Sequence, residues 1–122
     1  MIISGMNTGI ATGNIEESAK FYVDTLGFTV KHKLEIPGCR IYVMENEYTE
    51  FDLLEGEDYK PGTSAFRVTV RNFDDSVKEA EEKGLKKLTD VVESDRIKVA
   101  PYVNDNGTII MISHHKKVDI FV

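Results

Sequence analysis

Cysteine is almost absent from this sequence, which has 122 residues and contains Cys39 alone. A single cysteine cannot form an intrachain disulfide, and it supplies neither a thiolate zinc cluster nor a CxxC redox pair. This scarcity fits a reducing compartment. We interpret Cys39 as structural, because the sequence shows no base, acid or nucleophile beside it.

Long apolar runs and targeting signals are also missing. No run approaches the roughly 20 apolar residues that span a bilayer. The first ten residues, MIISGMNTGI, lack both a basic region and a long apolar core. We therefore expect a cytoplasmic protein with no membrane partner.

Positive charge is sparse and scattered. The chain carries 21 acidic and 15 basic residues, for a net charge of -6. A nucleic-acid surface needs clustered Lys and Arg that neutralise phosphates. We therefore expect no nucleic-acid partner.

An internal repeat organises the chain. With 41% hydrophobic and 30% charged residues, the composition indicates one domain, residues 1–122. Residues 14–20, NIEESAK, recur 58 positions later as residues 72–78, NFDDSVK, and every substitution is conservative. We predict a first module over about 1–55, a connector over 56–63, a second module over about 64–115 and a tail over 116–122.

Each copy of the repeat has the residues of a helix start. Asn14 and Asn72 can accept hydrogen bonds from the first helical turn, and the acidic residues after them oppose the positive end of the helix. The pattern predicts helices over 15–26 and 73–83, with Gly27 and Gly84 ending them. Helical spacing predicts these buried residues on the first helix: Ala19, Tyr22, Val23 and Leu26.

Strand patterns surround both helices. In residues 64–70, the apolar side chains Phe66, Val68 and Val70 alternate with polar ones, as in a half-buried strand. The full set of predicted strands covers 5–12, 28–36, 40–45, 49–54, 64–70, 88–92, 97–103 and 108–113. A strand, a helix and three strands therefore occur twice.

Two motifs resemble a known family. Residues 14–28 carry an acidic helix ending in FYVDTLGF, and residues 102–107, YVNDNG, are similar to a FxDPDG turn. Both resemble the vicinal oxygen chelate superfamily of glyoxalases, bleomycin-resistance proteins and extradiol dioxygenases. The resemblance implies an α+β fold with two tandem βαβββ modules, whose curved mixed sheets form a cup around a small-molecule pocket. It also implies a homodimer.

The resemblance locates the positions of a family metal site. Metal-dependent members hold a divalent cation with a His near each module's start and a Glu near its end. The matching positions here are Asn7, Asp52, Ala65 and Met111, and a register shift by one would bring in Phe66 or Ile110. Ala and Met do not suit a hard cation. We therefore expect no family-type metal and no other cofactor, with a relocated divalent metal as the alternative.

The inward faces of the strands supply the candidate ligand-binding residues. These are Asn7, Asp52, Arg67, Tyr102, Met111 and Tyr42. Arg67 has three possible roles: it lies beside Asp52 and replaces the charge of the cation, it binds an anionic ligand through a bidentate fork, or it reaches solvent. The tyrosines either line the pocket or belong to the core.

Histidines and apolar residues near the C-terminus receive simpler interpretations. His114 and His115 follow the last predicted strand and point to opposite sides, which favours a solvated tail over a metal site. His32 lies on an exposed strand and is interpreted as structural. The apolar residues 118–122 predict packing against the body or across a subunit boundary.

Three functions remain open from the sequence. The first is metal-independent sequestration of an organic ligand. The second is a glyoxalase-like lyase or isomerase with Asp52 as general base. The third is a protein-binding module whose cleft is filled with side chains.

Overall fold

Backbone hydrogen bonds join nine strands into one mixed sheet in this computed structural model, which describes residues 1–116. The elements in chain order are β1 Ile3–Ala11, α1 Ile15–Leu26, β2 Thr29–Ile36, β3 Cys39–Glu45, β4 Glu50–Glu55, β5 Ser64–Val70, α2 Phe73–Glu82, β6 Lys86–Lys87, β7 Val92–Glu93, β8 Ile97–Val103 and β9 Ile109–His115. This order of helices and strands confirms the predicted pair of βαβββ-like modules.

The strand order is β2-β3-β4-β1-β5-β9-β8-β6, with β7 also paired to β8. Within each module the first and last strands are parallel, β1 with β4 and β5 with β9. The modules join where β1 pairs antiparallel with β5. The two modules therefore form the two halves of a single sheet.

The sheet curls into a cup. Leu34 of β2 and Val99 of β8 come from near opposite ends of the strand order, yet they belong to one buried cluster. This cup cluster contains Ala11, Leu34, Ile36, Cys39, Ile41, Val43, Leu54, Tyr59, Ala65, Ile97, Val99, Ile109 and Met111. Tyr59 comes from the connector between the modules. Apolar side chains therefore fill most of the interior.

Both helices begin as the sequence predicts. The side chain of Asn14 accepts a hydrogen bond from the backbone N–H of Glu17 at 3.1 Å, and Asn72 accepts one from Asp75 at 3.2 Å. Gly27 follows α1 with a φ of 71°, a conformation that glycine adopts without strain. The repeated motif is therefore a repeated helix cap.

The buried face of α1 differs from the prediction. Ile15 and Ala19 are buried and Tyr22 packs against the same cluster, whereas Val23 and Leu26 are 39% and 51% exposed. Residues 15, 19 and 22 share one face, and the sheet covers only that face. Neither helix of residues 1–116 is long and apolar enough to cross a membrane.

The predicted strand over 88–92 is wrong over residues 88–91, which separate two short strands. Lys87 pairs with Tyr102, and Val92 pairs with Val99. The five residue steps from Lys87 to Val92 therefore lie opposite only three residue steps of β8. The extra residues leave the ladder, as in a bulge, and two short strands, β6 and β7, result. The predicted packing of residues 118–122 lies outside the described residues.

Candidate functional site

A buried polar network lies among the cup-facing residues of the two central strands and β4. Arg67 Nε donates to Asp52 Oδ2 at 2.5 Å, and Arg67 Nη2 donates to Asp52 Oδ1 at 3.2 Å. Asn7 Nδ2 donates to the same Oδ1 at 2.9 Å. Arg67 is 5% exposed and Asp52 is fully buried. Arg67 therefore lies beside Asp52 and does not reach solvent, while its role in binding a ligand stays a prediction.

Strand register explains why these three side chains meet. Asn7 of β1 lies opposite Arg67 of β5, and Gly9 lies opposite both Ala65 of β5 and Asp52 of β4. Side chains two residues apart on a strand share a face. Asn7, Asp52 and Arg67 therefore converge from three adjacent strands.

The two modules place different residues at equivalent positions. Asp52 is the partner of Gly9 in module one, and Met111 is the partner of Arg67 in module two. The 58-residue offset of the repeat likewise makes Arg67 of module two the equivalent of Gly9 in module one. A Cβ at Gly9 would lie 2.8 Å from Leu54 Cδ1 and 3.1 Å from Ala65 Cβ. At equivalent positions of the two modules, the cup therefore has Arg67 on β5 and Gly9 on β1, where a larger side chain would contact Leu54 and Ala65.

The donors at the family metal positions do not match a hard divalent cation. Asn7, Asp52, Ala65 and Met111 offer one carboxylate, one amide and one thioether, and alanine offers no ligand. The carboxylate already accepts hydrogen bonds from Arg67 and Asn7. Arg67 also brings a permanent positive charge to hydrogen-bond distance of this carboxylate. No group of three or more His, Cys, Asp or Glu that could hold a metal occurs in residues 1–116.

His115 contacts this site and is exposed to solvent, as predicted, but it lies on the last strand instead of beyond it. β9 runs two residues further than predicted because Lys98 and Ile97 of β8 pair with His114 and His115. His115 Nε2 lies 3.3 Å from Arg67 Nη1, while His114 points to the opposite side and its Nδ1 lies 3.0 Å from the carbonyl oxygen of Val70. Partial burial, followed by the charge of Arg67, lowers the pKa of His115.

A cleft opens at this polar end of the cup and has two compartments. The Asn7 compartment, of about 170 Å³, is lined by Gly5, Met6, Asn7, Lys31, His32, Val43, Glu50, Arg67, Thr69 and His115. The Arg96 compartment, of about 130 Å³, is lined by His32, Leu34, Arg96, His115 and Lys116. His32 and His115 line both, so the two histidines stand where the compartments meet.

Lys31 and Glu50 form a charged rim on the Asn7 compartment. Lys31 Nζ donates to Glu50 Oε1 at 2.7 Å and lies 3.6 Å from Glu45. The hydrogen bond from Lys31 is the main cause that lowers the pKa of Glu50. A carboxyl with a lowered pKa is a weak proton acceptor near neutral pH.

The remaining predicted ligand-binding residues lie elsewhere. Met111 is fully buried in the cup cluster, next to Arg67 in the strand register. Tyr42 packs with Ile15 beneath α1, and Tyr102 packs with Phe73 beneath α2. Ile41 and Val99 face the cup. Tyr42 and Tyr102 lie an odd number of residues away from them on the same strands, so both tyrosines point to the helix-covered face.

The sequence interpretation missed five charged or titratable residues of the cleft: Lys31, His32, Glu50, Arg96 and Lys116. It also placed His115 beyond the last strand. A signal for His115 was present, because it continues the alternation of Ile109, Met111 and Ser113 on the cup face. His32 and Arg96 carry no comparable signal, since only the curl of the sheet brings their segments to the mouth.

Comparison with protein families supports the resemblance seen in the motifs. The model described as the Glyoxalase/Bleomycin resistance protein/Dioxygenase superfamily matches residues 6–110, most of the chain. The chain belongs to this superfamily. No curated protein sequence matches it.

Solved structures of the glyoxalase superfamily share the fold at low sequence identity. A Streptomyces coelicolor methylmalonyl-CoA epimerase variant in complex with 2-nitronate-propionyl-CoA has a TM-score of 0.73 at 17% identity, over 94% of this chain and 99% of that chain. Methylmalonyl-CoA epimerase from Mycobacterium tuberculosis gives 0.69 at 14%, over 95% and 91%. A superfamily member from Vibrio splendidus gives 0.61 at 16%, over 90% and 97%. At these identities the likeness concerns the fold.

Proposed function

We propose that this member of the glyoxalase superfamily is a metal-independent binding protein that holds a small organic ligand in the cleft at the mouth of the cup. The main support is the ion pair between Arg67 and Asp52. The guanidinium of Arg67 lies at hydrogen-bond distance from Asp52, the one carboxylate among the family metal positions. The Asn7 compartment opens directly beside this pair. The network can thus orient a ligand without a metal.

The alternative function, a lyase or isomerase with Asp52 as general base, has weaker support. A general base needs a free lone pair within reach of the substrate proton. Both oxygens of Asp52 accept hydrogen bonds from Arg67, Asn7 also donates to one of them, and the carboxylate is fully buried. Asp52 is better suited to holding Arg67 in place than to removing a proton.

The size of the cleft favours a small ligand. Sites for drug-sized molecules usually enclose about 300–1,000 Å³. The two compartments enclose about 170 and 130 Å³, and the deeper part of the cup is occupied by the cup cluster. The same filling also disfavours a large flat ligand lying deep in the cup.

Elemental analysis and thermal-shift titration test this proposal together. Protein purified without chelator is analysed for metal, then titrated with nickel, zinc and manganese salts and with a panel of small organic acids, amides, aromatic compounds and thiol conjugates. A ligand at about 100 times its Kd adds about 2.7 kcal/mol to the free energy of unfolding. We expect no bound metal, no metal-induced shift and a rise in Tm with at least one organic compound.

A matched pair of variants locates the binding. Thr69→Phe fills the Asn7 compartment, whereas Thr8→Phe places the same side chain at an exposed strand position outside the cleft. The ligand-induced shift should disappear in the first variant and persist in the second. Near-stoichiometric metal would contradict metal independence, and chemical conversion of the bound compound would favour the enzyme.

A further inference from the structure

Charge is not evenly compensated in the cleft. Among the cleft cations, Lys31 pairs with Glu50, Arg67 with Asp52, and Lys116 with Glu93 at 2.6 Å. Arg96 takes part in none of the ion pairs found among residues 1–116. Among residues 1–116, no acidic residue lines the Arg96 compartment. Within this part of the chain, one positive charge at this end of the cup is therefore left without a carboxylate.

The neighbouring histidine adds a neutral hydrogen-bond donor. Arg67 is always protonated and has no acceptor, so its Nη1 must donate to His115 Nε2 across the 3.3 Å contact. That bond requires a free lone pair on Nε2, and the proton of the neutral imidazole then resides on Nδ1. Arg67 thus fixes the tautomer of a residue that lines both compartments.

The two compartments differ in chemistry. The Arg96 compartment combines Arg96 and Lys116 with the two histidines and the apolar side chain of Leu34. The Asn7 compartment adds uncharged surfaces from Val43 and Thr69 beside its paired charges. An anionic group suits the former compartment, and a short uncharged body suits the latter.

We infer that the ligand is a small organic monoanion whose carboxylate binds in the Arg96 compartment, against Arg96 and the histidine pair, while its uncharged body lies in the Asn7 compartment. This inference rests on the proposed function, and it specifies the class of ligand. A single uncompensated positive charge matches one carboxylate and leaves the second charge of a dianion unpaired.

Matched probes test the charge requirement. Butyrate and butyramide have similar size and differ in the carboxylate, and inorganic phosphate supplies a second oxyanion. Each is titrated into ¹⁵N-labelled protein at low ionic strength in a buffer free of oxyanions, and amide shifts are followed by NMR. We expect saturable shifts with butyrate at residues of both compartments, and no saturable shifts at the same concentrations of butyramide.

Two charge-neutralising variants serve as test and control. Arg96→Gln removes the unpaired cation from an exposed position, and Lys60→Gln removes one positive charge from the connector at the other end of the cup. Loss of a charge-assisted hydrogen bond should weaken butyrate binding by about tenfold or more in Arg96→Gln. Lys60→Gln should bind butyrate as the parent protein does.

The outcomes separate this inference from the proposed function. Equal binding of butyramide, or butyrate binding unchanged by Arg96→Gln, would overturn the anion assignment and leave ligand binding in the cleft intact. Phosphate binding tighter than butyrate would overturn the assignment of an organic carboxylate. Absence of binding by every probe here and by the wider panel of organic compounds would overturn both proposals.

Discussion

Arg67 and Asp52 form a bidentate ion pair inside the sheet, with Asp52 fully buried and Arg67 only 5% exposed. The two residues come from different modules, β5 and β4, and β1 lies between those strands. Asn7 of that intervening strand donates to the same carboxylate. The pair therefore links the halves of the cup as well as lining the cleft.

Removing one member of this pair should be costly. Arg67→Met leaves a buried carboxylate without its counter-charge, and we expect the free energy of unfolding to fall by about 3–5 kcal/mol. The double variant Asp52→Asn with Arg67→Met removes both charges and should recover much of that loss. Urea unfolding of the two single variants and the double variant measures the coupling. Additive effects of the single substitutions would contradict it.

Gly9 should accommodate a side chain only at a cost in stability. An added Cβ would lie 2.8 Å from Leu54 Cδ1 and 3.3 Å from the backbone oxygen of Ala65, both within packed strands. We expect Gly9→Ala to lower the free energy of unfolding by about 1–3 kcal/mol through overpacking. Gly13→Ala is the control, because no atom lies within 4 Å of its added Cβ. Similar unfolding midpoints for both variants would refute the prediction.

Cys39 should be inert in the native protein. Burial, and secondarily the charge of Asp52, raises the pKa of its thiol to about 12. The thiolate is the reactive form, so its fraction at mildly alkaline pH is very small. We expect a disulfide reagent to label Cys39 only after unfolding in urea. Rapid labelling of folded protein would show that the thiol is accessible.

Acid should destabilise the protein through His115. Its pKa is lowered on folding, so the unfolded state binds the proton more readily, and stability falls as pH drops below the unfolded value of about 6.5. The charged or titratable neighbours are Arg67, His32, His114 and Asp52. Between about pH 7.5 and pH 5, wild type should lose more stability than His115→Gln. Parallel pH curves of the free energy of unfolding would contradict this assignment.

The local features of the fold were accessible from sequence because they depend on short-range chemistry. The repeated caps at Asn14 and Asn72, the stop at Gly27 and the cup-facing alternation of Asn7, Asp52 and Arg67 all follow from backbone geometry within one element. The proximity of Arg67 to Asp52 was one of three possibilities, and register decided among them. The solvent exposure of Val23 and Leu26 was not accessible, because it depends on how the sheet meets α1.

The sequence alone determined the two modules, their helix caps and the faces of most strands, since hydrophobic period and capping chemistry act over a few residues. The cleft, in contrast, depends on how the strands come together in the folded sheet. The pairing of His115 with Ile97, the position of Arg96 before β8 and the curl that brings His32 to the same mouth involve residues far apart in the chain. Such contacts depend on the twist and curvature accumulated over the whole sheet, which no single segment specifies.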